Sequence, residues 1–252
     1  MLPRPHAPML PRSLNSMENP ATPKLNFSDL KDGSIAHLMQ ELCTPLTNIQ
    51  TALKLLESPG IKQVQRQRYL GLIRGECDRQ NLLISGVTRL LAIDRSPDPL
   101  EIVPINLSQI IPGIVSIYQP LAEEKGIRLG YTIPDDLPEI ICVEGWLRQI
   151  AIDLLHNSIK YTPEGGHVFV HASVQDKYVQ LEFRDTGIGI PSSELPKIFD
   201  RFYRVRSLPN DRGAGLGLTI VQNILTRCGG SISVVSQVGA GSKFRVLLPI
   251  RL

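Results

Sequence analysis

Aromatic residues make up only 5% of this 252-residue sequence, and no uninterrupted apolar run approaches the roughly 20 residues that a membrane span needs. The first residues lack the continuous hydrophobic core of a secretory signal, so the chain reads as cytoplasmic with no membrane span. Clusters of Lys and Arg are missing too. The formal net charge of +3 is spread thinly and without interleaved aromatics, which argues against nucleic acid as a partner. Cysteine is scarce: Cys43, Cys77, Cys142 and Cys228 show neither CxxC nor His-linked spacing. That absence argues against zinc, and the four read as small apolar thiols rather than disulfides. What is present is an ordinary globular composition, 42% hydrophobic, in a chain long enough for more than one domain.

Prolines at 3, 5, 8, 11, 20 and 23 oppose helix, so residues 1–29 read as a disordered, Pro-rich leader. Apolar positions then recur at three-and-four spacing, first as Ile35, Leu38, Leu42, Ile49, Ala52 and Leu56. After a break at Ser58-Pro59-Gly60 they recur as Leu70, Ile73, Cys77, Ile84, Val87 and Leu91. Residues 30–94 are therefore expected to form a helical hairpin. Two helices make a poor core alone, and pairing two hairpins into a four-helix bundle buries all the seams, so a homodimer is expected.

Ser96-Pro97-Asp98-Pro99 marks a linker over 95–104. Beyond it, residues 105–252 alternate between helical and strand patterns. Helices are expected near 108–125, 146–161 and 216–227, and strands near 128–133, 167–173, 178–184, 231–236 and 243–248. Overall the fold class is α+β: a helical hairpin followed by an α/β sandwich, with one mixed sheet covered by helices.

Three clusters in this second half carry chemistry. Asp153, Asn157 and Lys160 recur at helical spacing and share a face. The Asn157 amide oxygen is a hard ligand suited to Mg²⁺, and the Lys160 ammonium can meet phosphate oxygens. Taken alone, this is equally a solvated helix face. Asp185-Thr-Gly187-Ile-Gly189 follows a strand, where a carboxylate can accept from an adenine amino group and glycines let backbone approach a flat ring. Gly213-Ala-Gly215-Leu216-Gly217 opens a helix whose N–H groups and positive dipole end suit phosphate. Between these two lie Phe199, Phe202, Tyr203 and Arg204, then a polar stretch over 206–212 that reads as a mobile lid anchored by aromatics.

In order and spacing these segments resemble the N, G1, F and G2 boxes of sensor histidine kinases of two-component systems. Gly239-Ala-Gly241-Ser-Lys-Phe244 resembles the closing glycine motif. The resemblance implies a GHKL-type, ATPase-like domain with ATP and Mg²⁺ as cofactors. It assigns Mg²⁺ to Asn157, phosphates to Lys160 and Arg204, and adenine to Tyr161 and Asp185. The loops fall to Gly187, Gly189, Gly213, Gly215, Leu216 and Gly217. Asp153 stands at a position that is usually Asn in the kinases, and an acidic residue there resembles topoisomerase and chaperone relatives, in which a Glu activates water.

The hairpin resembles the same family's dimerisation and phosphoacceptor domain through Gln40-Glu41-Leu42-Cys43-Thr44-Pro45, where His-Glu-Leu-Arg-Thr-Pro is the usual pattern. Gln40 replaces the acceptor histidine and Cys43 a common arginine. With Leu38 and Leu42 in the seam, position 40 points to solvent. An amide nitrogen, its lone pair delocalised into the carbonyl, cannot carry phosphate as imidazole does. His37, three residues earlier and about 4.5 Å along the axis, is displaced as a substitute acceptor and reads otherwise as an exposed helix residue. Glu41 and Thr44 keep the positions that in this family serve proton acceptance and dephosphorylation of the partner, and Pro45 should kink the first helix.

The resemblance implies a signal-transduction protein that binds Mg·ATP and works with a response-regulator receiver domain, as a homodimer or as a heterodimer with an intact histidine kinase. Gln40 puts self-phosphorylation at the usual site in question. Three other readings stand beside it: a pseudokinase acting as a nucleotide-gated binding module, a response-regulator phosphatase using Glu41 and Thr44, and a bare ATPase relying on Asp153.

Overall fold

The computed structural model describes residues 32–94, 102–205 and 213–251, with side chains described from Met39 onward up to Ile93 in the first stretch. The leader over 1–29, most of the linker and the lid loop at 206–212 lie outside the described residues.

Helix α1 (Asp32–Leu56) runs through Pro45 as one element, and a turn with Gly60 at φ 83° returns the chain into α2 (Gln63–Asp94). Polar pairs fix their register. Arg79 Nη2 lies 2.6 Å from Glu41 Oε2, the Gln80 amide donates to the Leu42 carbonyl at 2.6 Å, and Asn48 donates to Glu76 at 2.9 Å. The expected seams split into two faces. Ala52 is buried and Leu42 half-buried, whereas Leu70 and Ile84 stand exposed, as does Cys77. Exposed apolar residues recur every seven positions on both helices: Met39, Leu46 and Leu53 on α1, and Leu70, Cys77 and Ile84 on α2. A heptad stripe left in water on each helix is the geometry of a bundle seam.

The second half comprises β1 (Ile102–Ile105), α3 (Leu107–Glu124), β2 (Arg128–Thr132), β3 (Ile140–Val143), α4 (Glu144–Tyr161), β4 (His167–Gln175), β5 (Tyr178–Asp185), α5 (Gly217–Arg227), β6 (Ser231–Gln237) and β7 (Gly241–Pro249). Five strands form a mixed sheet in the order β2-β4-β5-β7-β6, with β2 parallel to β4 and the other pairs antiparallel. Alternation sets its two faces. Val168, Val170 and Ala172 of β4 are buried while Phe169 is 42% exposed, because α3, α4 and α5 cover only one side. Burial of Val179, Leu181 and Phe183 on β5, and of Val246 and Leu248 on β7, continues the same layer.

The sequence reading lacked the small antiparallel sheet of β1 with β3. Its strands are four residues long, one contains Pro104, and they are far apart in sequence, so neither carries a periodic signal of its own. Strand pairing consequently reaches back to Ile102, inside the stretch read as linker.

The C-terminal half of α2 is not confined to the hairpin. Leu83, Leu90 and Ile93 belong to the same buried core as Leu216 and Ile220 of the α/β unit. A Cβ on Gly86 would come within 2.6 Å of Leu216 Cδ1, so the absence of a side chain there lets α2 lie directly on the start of α5.

Candidate nucleotide site

Helix α4 buries Leu147, Ile150, Ala151, Leu154, Leu155, Ser158 and Ile159, and this period of 3.6 leaves Asp153, Asn157 and Lys160 on the opposite face. That face lines a cavity of about 350 Å³ bounded by the segment after β5, the glycine-rich approach to α5 and one side of α2. The end of α4 is held by a residue the sequence reading passed over. Lys125 Nζ donates to the Ile159 and Lys160 carbonyls at 2.7 and 2.6 Å, placing a cation on the negative end of the helix dipole. Burial, and then the charge of Lys160, push the Lys125 amine below its usual range. Lys160 Nζ lies 5.0 Å from the ring centroid of Tyr161.

Asp185 is buried at the end of β5. Its Oδ1 accepts from the Gly187 N–H at 2.9 Å and the Ser242 N–H at 3.1 Å, which leaves Oδ2 to meet a donor. Burial raises its carboxyl above the ordinary range, offset in part by those two N–H groups. Two of the glycines carry close backbone contacts. At Gly189 (φ 70°) a Cβ would stand 1.9 Å from the Gln237 carbonyl oxygen, and at Gly215 (φ 68°) 2.7 Å from the Phe202 carbonyl carbon. Each therefore permits backbone to press closely on backbone at the edge of the cavity. Gly215 also accepts from the Phe202 N–H at 2.9 Å, and the Thr219 hydroxyl donates to the Phe199 carbonyl at 2.9 Å, so the aromatic segment is bolted to the start of α5. Tyr203 donates a short hydrogen bond to Glu194. No side chain among the described residues caps α5 at Leu216, and Gly217 and Leu218 at its start line the cavity.

Of the residues singled out from sequence, Asp153, Asn157, Lys160, Tyr161, Asp185, Gly189, Arg204, Gly213, Gly215, Leu216 and Gly217 line this one cavity. Gly187 does not. Sequence reading missed the wall contributed by α2, made of Leu82, Gly86 and Arg89. Arg89 Nη1 lies 3.6 Å from Asp153 Oδ1, a contact between elements so distant in sequence that no spacing announces it.

Asp153 is the most perturbed carboxylate of the site. Burial raises it to about 6, with partial relief from the Gln149 amide and the Arg89 guanidinium. The Gln149 amide is near but makes no hydrogen bond of good geometry, and Asp153 Oδ2 is left buried without a partner among the described residues. An unsatisfied carboxylate oxygen one helical turn from the Asn157 amide suits a hard cation that takes few protein ligands and completes its shell with phosphate and water. Among the described residues no group of three or more His, Cys, Asp or Glu gathers as a metal cage.

On α1, Gln40 is exposed and the Thr44 hydroxyl donates back to its carbonyl at 2.9 Å. Glu41 is held by Arg79. His37 belongs to α1, but its side chain lies outside the described residues. No helix among the described residues is long and apolar enough to cross a membrane.

Two family models match in tandem. "His Kinase A (phospho-acceptor) domain" matches residues 30–95, and "Histidine kinase-, DNA gyrase B-, and HSP90-like ATPase" matches residues 142–252. Drug sensory protein A of Synechocystis sp. is 32% identical over 236 residues, covering 88% of this chain and 35% of that protein. Full-length ShkA in complex with AMPPNP has a TM-score of 0.61 at 28% identity, over 87% of this chain and 46% of that one. Histidine kinase ThkA, solved with the response regulator TrrA, shares the fold, with a TM-score of 0.69 at 19% identity over 87% and 62%. The chain spans 25% to 59% of the length of the curated relatives it matches.

Proposed function

The chain belongs to the sensor histidine kinase family of two-component systems, and from that premise we propose that it binds Mg·ATP in the cavity beside α4 and works as a dimer with a response-regulator receiver domain. The observation that carries this reading is the convergence of Asn157, Lys160, Asp185, Arg204 and the uncapped start of α5 on one cavity. Asp185 Oδ2 accepts the adenine amino group. Lys160 and Arg204 neutralise phosphate oxygens, with the α5 N–H groups beside them. Asn157 and Asp153 would hold Mg²⁺, which would supply charge neutralisation to the phosphates. Drug sensory protein A and its kin are sensor proteins by name, ShkA is solved with an ATP analogue, and ThkA with a response regulator; for this chain those activities are part of the proposal.

At position 40 no nucleophile is available, so the chain does not label itself there. The surviving framework of Glu41, Thr44 and Pro45 favours action on or with a partner: transfer to an imidazole of another subunit, or dephosphorylation of a receiver. The dephosphorylation reading requires Glu41 to leave Arg79 and Thr44 to release the Gln40 carbonyl.

The test has two arms. Calorimetric titration with a non-hydrolysable ATP analogue should show Mg²⁺-dependent binding that Asn157→Ala abolishes; affinity indifferent to that variant and to chelation refutes the site. Incubation with γ-labelled ATP should give no phosphohistidine in the natural sequence and some in Gln40→His. Labelling of the natural sequence that vanishes in His37→Ala would make His37 the acceptor instead.

A further inference from the structure

Two of the four cysteines meet, although nothing in their spacing foretold it. Cys142 stands one residue before the end of β3, close to the first turn of α4, and Cys228 caps the last turn of α5. Their sulfurs stand 3.1 Å apart across 86 positions of sequence. Cys142 is 1% exposed, while Cys228 is half-buried and reachable from solvent. We propose that Cys142 and Cys228 form a reversible disulfide, driven by peroxide, that ties the start of α4 to the end of α5 within the ATPase-like domain.

The surroundings suit that chemistry. α4 has no side-chain cap at its N-terminus. The Cys142 thiol is pushed below its usual range by the hydrogen bond from Cys228 and, against the cost of burial, by the Val143 and Leu147 N–H groups at that helix start. Cys228 holds the proton and is pushed up. The first ionisation thus falls on Cys142 with Cys228 keeping its proton, and attack by the accessible sulfur requires that proton to pass from Cys228 to Cys142 across the 3.1 Å between them. That Cys228 thiolate attacks a peroxide oxygen: an S–O bond forms, the O–O bond breaks, and the departing hydroxide takes up a proton to leave as water. Cys142, giving up its proton, then attacks the sulfenic sulfur. The S–S bond forms, the S–O bond breaks, and the second oxygen leaves as water. One peroxide is reduced by two electrons and two thiols are oxidised. The sulfurs need to approach by about 1 Å to reach disulfide length, a movement that the end of α5, followed by Gly229 and Gly230, is placed to absorb.

The two helices joined are those that carry Asn157 and Gly217 into the cavity, so the bond would pin the far ends of both walls of the nucleotide site. The proposal needs no kinase activity and stands apart from the reading above. Its test uses the full-length chain with Cys43→Ser and Cys77→Ser, which removes the two exposed thiols. Treatment with hydrogen peroxide should lower the intact mass by about 2 Da, link the peptides containing Cys142 and Cys228, raise the thermal midpoint by several degrees, and revert fully with a dithiol. Adding Cys228→Ser should remove the mass change and the midpoint shift; Cys228→Ala serves as a second variant should the first fold poorly. Two alkylatable thiols after peroxide, or Cys228 oxidised to a sulfinic or sulfonic acid with Cys142 still free, would overturn it.

Discussion

Asp153 shows how a residue acquires properties that its identity does not encode. Its carboxyl titrates near 6 in the folded chain against an ordinary value of 3.8. The folded state therefore holds its proton more tightly than the unfolded state between roughly pH 4 and 6, and the linkage slope is negative there. Stability is fully present below the unfolded value and falls as pH rises through the folded one, by up to about 3 kcal/mol for a two-unit shift. Asp153→Asn should flatten thermal midpoints across that window and raise stability near neutral pH by an amount of that order. A variant whose melting profile between pH 4 and 6 parallels the natural one would remove Asp153 as the titrating group. The helical spacing with Asn157 and Lys160 was readable from the sequence, since periodicity is a local property. The perturbation was not, because it comes from burial, which Arg89 only partly offsets, and neither the packing nor the Arg89 contact is local in sequence.

At the level of elements, the hairpin divides its apolar residues between two tasks. Leu83 is fully buried against the α/β unit, so Leu83→Ala should cost about 2–5 kcal/mol in chemical denaturation whatever the oligomeric state. Met39, Leu46 and Leu53, with Leu70, Cys77 and Ile84, lie in water in the single chain. Leu46→Glu combined with Ile84→Glu should leave the circular dichroism of the chain unchanged and yield a monomer by sedimentation. A dimer that survives both substitutions would place the interface elsewhere. The expected seams caught Leu70, Cys77 and Ile84 but missed Met39, Leu46 and Leu53, since one helix with two apolar faces offers two overlapping heptads and a single template reads only one. Strands with clean alternation, such as β4 and β5, were legible. β1 and β3, short and paired with each other across a long sequence separation, were not.

On the scale of the whole molecule, the unexpected feature is that α2 forms a wall of the nucleotide cavity. Position 40 of α1 lies level with Arg79 and Gln80, as the contacts of Glu41 and Leu42 with those residues show. Gly86, where α2 meets Leu216, is six residues further along, about 9 Å down the axis. The docked arrangement therefore holds Leu216 and the start of α5 nearly two turns from the level of position 40, and the Arg89–Asp153 pair and the buried Leu83, Leu90 and Ile93 keep it there. Reacting groups must come within about 3.5 Å, so transfer to that position requires α5 to leave α2. Gly86 is the point at which this departure can be forced. A leucine there cannot coexist with Leu216, which is itself 2% exposed and has nowhere to turn. Gly86→Leu in a Gln40→His background should consequently raise phosphohistidine formation several-fold over Gln40→His alone, while hydrogen exchange reports new openness along the C-terminal half of α2. If the double variant exchanges faster there, binds nucleotide as before and still labels no faster, then the docked state is not what separates the cavity from the acceptor position. Retention of Glu41, Thr44 and Pro45 would then have to be explained by action on a partner alone.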